Sequence, residues 1–92
     1  MPTPEPTPEQ TVISNVINEL YYLINEIRRK ASPNVINATI NNIIHKLSNV
    51  QKPNLAAINL LYYVSYLINI KQSKQVIIIN LYNVMHELLN NQ

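Results

Sequence analysis

From Val12 onward the apolar residues fall at three- and four-residue steps. Val12, Ile13, Val16, Ile17, Leu20, Leu23, Ile24 and Ile27 form one face of a helix. Its start is marked by Thr7 as a capping residue, Pro8 at the first helical position and Glu9-Gln10 in the first turn. Arg28-Arg29-Lys30 close it, where cations suit the negative helix end. Ser32-Pro33-Asn34 then starts a second helix carrying Val35, Ile36, Ile40, Ile43, Ile44, Leu47 and Val50. A third is predicted from about Pro53 to Lys71 and is apolar over most of its circumference, with Asn59, Ser65 and Asn69 as interruptions. The fourth follows Ser73 with Val76, Ile77, Ile78, Leu81, Val84, Met85, Leu88 and Leu89. Short connectors predict antiparallel neighbours, so the expected fold class is all-α, an antiparallel four-helix bundle.

Shifting the chain by 41 residues against itself sets residues 17–51 opposite residues 58–92 without a gap. Fifteen of these 35 positions are identical, among them Leu20/Leu61, Tyr21/Tyr62, Tyr22/Tyr63, Lys30/Lys71, Ser32/Ser73 and His45/His86. This predicts a pseudo-two-fold pair of helical hairpins, residues 10–52 and 53–92. A single hairpin of this length cannot bury its own apolar stripe, whereas two stacked copies can. The period and the two-helix unit resemble HEAT and armadillo repeats, although the glycine, aspartate and arginine signatures of those families are missing.

Composition sharpens the picture. The 92 residues are 47% hydrophobic and only 13% charged, with six tyrosines and no glycine, cysteine, tryptophan or phenylalanine. That apolar content predicts a folded chain rather than a disordered one. Lack of glycine excludes the phosphate-binding loop, the dinucleotide fingerprint and the nucleophile elbow, and it disfavours a hairpin-rich sheet. Lack of cysteine excludes disulfides, thiolate chemistry and cysteine-based zinc sites. A net charge of +2 gives no argument for nucleic acid as a partner. The sixteen residues from Leu55 to Ile70 fall short of a membrane span. Residues 1–9, with proline at every second position from Pro2 to Pro8, read as a proline-rich extended arm. Capping residues before apolar runs, breakers only at joints and several unused residue types make the chain similar to de novo designed four-helix proteins. Asparagine, however, fills surface positions where designs carry lysine and glutamate.

No constellation points to catalysis. His45 and His86 invite a bis-histidine metal or haem site, but both lie off their apolar stripes and lack supporting ligands, so solvated histidines are expected. Glu19 and Glu26 share the first helix and are expected on its polar face; no carboxylate pair is placed for acid–base work and no nucleophile has a base beside it. The reading of Arg28-Arg29-Lys30 is helix-end complementation and solubility, with phosphate or nucleic-acid contact as the lesser alternative. The expectation is a chain without enzymatic activity, cofactor or metal. Its binding candidates are Tyr22, Tyr62, Tyr63, Tyr66 and Ile70, because tyrosine offers contact area with little entropy loss. Two functions follow from that: a structural scaffold, or a small helical adaptor that binds a protein partner or itself through the tyrosine-rich face of the third helix.

Overall fold

The computed structural model describes Glu5 and residues 7–90. The extended-arm expectation rests chiefly on residues 1–4 and 6, which lie outside the described residues. Pro8 and Glu9, counted with the arm by composition, are already helical. Among the described residues all regular structure is α-helical: α1 (Pro8–Arg28), α2 (Pro33–Ser48), α3 (Leu55–Asn69) and α4 (Lys74–Asn90). None of these helices is long and apolar enough to cross a membrane.

Each helix start is fixed by a side chain that accepts a hydrogen bond from an otherwise unpaired backbone donor. The Thr7 hydroxyl accepts from the Gln10 N–H at 3.1 Å while the Gln10 side-chain oxygen accepts from the Thr7 N–H at 2.9 Å, a reciprocal capping box. Ser32 accepts from Val35 and Ser73 from Val76, each at 3.3 Å. Asn54 accepts from Ala57 at 3.0 Å, so α3 starts two residues after Pro53, where the sequence had placed its beginning.

The C-termini of α1 and α3 solve a harder problem. The favoured helix stop places one residue in the left-handed region, a role that glycine fills at least cost. This chain has no glycine, and Lys30 (φ 63°) and Lys71 (φ 61°) take the position instead. Both ends carry the same pair of hydrogen bonds: Lys30 donates to the Ile27 carbonyl and Ala31 to that of Glu26, Lys71 to that of Ile68 and Gln72 to that of Leu67, all at 3.0–3.1 Å. These are Schellman motifs built on lysine.

Around these ends the helices close a ring: α1 packs on α2 and α4, and α3 packs on the same two. Each helix sends five or six buried apolar residues into one core, with Leu20, Leu23, Ile40, Ile43, Leu61 and Leu81 fully sealed. No buried residue is polar among the described residues. Polar pairs stand at the seams. Thr39 Oγ1 donates to Glu26 Oε1 at 3.4 Å and Lys46 pairs with Glu19, both between α1 and α2; Ser65 Oγ donates to Asn37 Oδ1 at 2.8 Å between α3 and α2. Glu19 and Glu26 thus sit half-buried against α2 rather than on an open polar face. Their α1 wheel position is polar, and the neighbouring helix covers it.

Two stability outcomes follow. A left-handed L-residue costs about 1–2 kcal/mol, part of which glycine returns to the unfolded state as entropy, so Lys30→Gly and Lys71→Gly are each expected to stabilise the fold by about 0.5–1 kcal/mol. Ser32→Ala and Ser73→Ala are each expected to cost about 1 kcal/mol through loss of the cap. Urea unfolding of the four single variants measures both.

Candidate interaction surface

The expected binding residues are all on the outside. Tyr22 is 61% exposed, Tyr62 57%, Tyr63 49%, Tyr66 55% and Ile70 47%. On α3 the core residues Leu61, Val64 and Ile68 define one side of the helix, and Tyr62, Tyr66 and Ile70 recur at four-residue steps on the other. Tyr63 and Tyr66 stack, with ring centroids 6.2 Å apart and planes 25° from parallel. Such an arrangement fixes two aromatic faces relative to each other before any ligand arrives. Tyr22 stands apart on α1, beside a shallow groove that it lines with Glu19, Ala38, Thr39 and Asn42.

The exposed apolar surface extends beyond these five. Leu55 lies on the outer side of α3, and Val76, Ile79, Tyr82 and Leu89 are exposed on α4. Val76 and Leu89 belong to the apolar pattern assigned to the fourth helix, but they point outward: its core side is Ile77, Leu81, Val84, Met85 and Leu88. The run Ile77-Ile78-Ile79 carried the signal, since residues 100° apart on a helix cannot all face one core. Ile77 is buried, Ile78 half-buried and Ile79 exposed. Helix α3 holds no Lys, Arg or Glu, so its outer side presents aromatic rings, aliphatic groups and asparagine amides without formal charge.

His45 and His86 are exposed, and each ring Nε2 lies against the side-chain nitrogen of the asparagine one turn on, Asn49 at 3.1 Å and Asn90 at 2.8 Å. No group of three or more His, Cys, Asp or Glu side chains converges among the described residues. The Glu19 and Glu26 carboxylates face Lys46 and Thr39 across the α1–α2 seam, and Glu19 and Thr39 both line the shallow groove beside Tyr22.

Charge is distributed unevenly along the helices. Lys30, Lys71 and Lys74 line a common recess with Ile27, Ile36, Ile68 and Ile77, and Arg28 lies with Lys74 in an adjoining groove. A recess lined by Glu9, Gln10, Lys52, Asn54 and Leu88 gathers the opposite helix ends. Comparison with known proteins finds no matching family model, no significantly similar curated protein and no significantly similar solved structure.

Proposed function

We propose that the chain is a non-catalytic helical module, an antiparallel bundle of two copies of one hairpin, and that the second copy carries a self-association surface. The antiparallel reading is supported by the α1–α2 seam: advancing seven residues along α2, from Thr39 to Lys46, moves the partner back seven residues along α1, from Glu26 to Glu19. The duplication is supported by the two lysine-based helix stops and the two serine caps, each set 41 residues apart. Buried positions agree in the same register, as in Leu20/Leu61, Ile27/Ile68, Ile36/Ile77, Ile43/Val84 and Leu47/Leu88.

The observation that carries the functional reading is where the copies differ. Six outward positions of the first hairpin hold Ser14, Asn25, Arg29, Ala38, Asn41 and Ser48. Their counterparts 41 residues later are Leu55, Tyr66, Ile70, Ile79, Tyr82 and Leu89, all exposed. The first hairpin exposes Tyr21, Tyr22 and Val35, which recur as Tyr62, Tyr63 and Val76; identical structural demands on two hairpins do not account for the six further apolar groups that the second adds. With Tyr62 and Tyr63 added, the exposed area is on the order of the 800 Å² that each partner buries in a standard dimer. Monomers rarely leave apolar patches of that size open to water. The absence of charge on α3 favours a second copy as occupant, because the uncharged α3 side complements itself in a two-fold pairing, with Arg28 and Lys74 at the α4 margin where they share a groove with Ile79. A bare scaffold, whose fold is its whole purpose, calls for no such face.

Sedimentation over a wide concentration range tests this. The wild-type chain is expected to shift from monomer to dimer with concentration. Tyr66→Glu and Ile79→Glu should hold it monomeric with helicity unchanged, since exposed substitutions move stability by only about 0.5 kcal/mol. Tyr22→Glu on the first hairpin should leave the dimer intact. A wild-type chain that is monomeric throughout, or a dimer indifferent to both α3–α4 substitutions, contradicts the proposal.

A further inference from the structure

Five of the chain's seven Lys and Arg residues, Arg28, Arg29, Lys30, Lys71 and Lys74, lie at the C-termini of α1 and α3 and the N-terminus of α4. These helix ends meet: Lys30, Lys71 and Lys74 line one recess floored by Ile27, Ile36, Ile68 and Ile77, and Arg28 shares the adjoining groove with Lys74. The nearest carboxylate in sequence, Glu26, is turned to Thr39 across the α2 seam. None of the five takes part in the Lys46–Glu19 ion pair across the α1–α2 seam.

Helix-end complementation accounts for a cation at the end of α1 or α3, but not for this set. Lys74 stands in the first turn of α4, where the helix dipole disfavours a positive charge, and the corresponding residue of the first hairpin is Pro33. Lys30 and Lys71 occupy left-handed positions that cost an L-residue stability, and asparagine, which the chain uses freely, tolerates that conformation better. Three lysines each sit where the local backbone would favour another residue, and all three open on the same recess. Like charges gathered there also repel, a cost that a bound anion removes.

We propose that this recess is an anion site that takes a multiply charged phosphate group. Lysine suits such a ligand as a mobile point charge with three donors. The recess lies at one end of the helices, and of the outward residues that distinguish the two hairpins Ile79 borders only the adjoining groove, so Tyr66→Glu, which removes self-association, leaves the recess in place. A phosphate of this kind reaches the protein either free in solution or as the headgroup of a phosphoinositide, and the same lysines serve both.

The test has two arms on the full chain. In the first, inorganic pyrophosphate is titrated at low salt while backbone amide resonances are followed. In the second, the chain is sedimented with phosphatidylcholine vesicles with and without phosphatidylinositol bisphosphate. Saturable shifts centred on Lys30, Lys71 and Lys74, or retention by the phosphoinositide vesicles alone, support the site and identify the source. Lys74→Gln is expected to weaken binding about tenfold, the loss of one charge-assisted hydrogen bond. Lys30→Asn and Lys71→Asn should do likewise without loss of fold, because asparagine accepts the left-handed backbone. Lys52→Gln, at the opposite helix ends, should change nothing. Absence of binding in both arms overturns the proposal, as does a Lys30/Lys71/Lys74 triple variant that keeps wild-type affinity. So does a loss in Lys52→Gln as large as that in Lys74→Gln, which would mark attraction to net charge alone.

Discussion

The structure depends on one constraint: no helix in it can be dried by its sequence neighbour alone. Each helix of about 15–21 residues carries an apolar stripe. The ring of contacts, α1 to α2, α2 to α3, α3 to α4 and α4 back to α1, leaves a single space into which all four stripes point. Isolated helices of this length are marginal in water, so tertiary burial, rather than propensity, holds them. That accounts for a surface rich in asparagine, a mediocre helix former. It also accounts for the polar pairs at the seams, where Glu19–Lys46, Glu26–Thr39 and Asn37–Ser65 fix which helix lies beside which without placing a polar residue in the core.

Once the core is satisfied by the two proposed hairpins alike, the outer positions are free to differ, and the two proposals draw on that freedom. On the side walls the proposed second copy exchanges small and polar residues for leucine, isoleucine and tyrosine. At one end the chain accumulates lysine where the backbone would rather have glycine or asparagine. Both choices cost something in the isolated chain, through exposed apolar area in one case and through backbone strain and charge repulsion in the other. Costs of this kind are characteristic of surfaces that meet a ligand or a partner.

The sequence was informative wherever a local rule acts. Thr7, Ser32 and Ser73 begin helices because a hydroxyl one residue ahead of a helix satisfies its first amides, and that depends on no other part of the chain. The outward placement of Tyr62, Tyr63, Tyr66 and Ile70 was legible for a similar reason: the α3 wheel has one core side. Glu19 and Glu26 were not, since a wheel gives the angle of a residue on its own helix but not the angle from which the neighbour approaches. Leu89 was missed because it was assigned to the core by type, and Ile79 and Tyr82 because they fell outside the apolar pattern read for α4. Comparing them with Ala38, Asn41 and Ser48 at the 41-residue offset would have separated core from surface. The convergence of Lys30, Lys71 and Lys74 needs three helix ends in space, although the absence of glycine already raised the question of what ends α1 and α3.

Amide hydrogen exchange on a Leu20→Ala chain tests the shared core most directly. Leu20 is fully buried on α1, and its truncation should cost about 3–5 kcal/mol. If the four helices protect one another, the slowest-exchanging amides of α3 and α4 lose protection by the same free energy as those of α1 and α2. Protection in α3 and α4 that stays at its wild-type level would show that they keep their own core, and the account would be wrong.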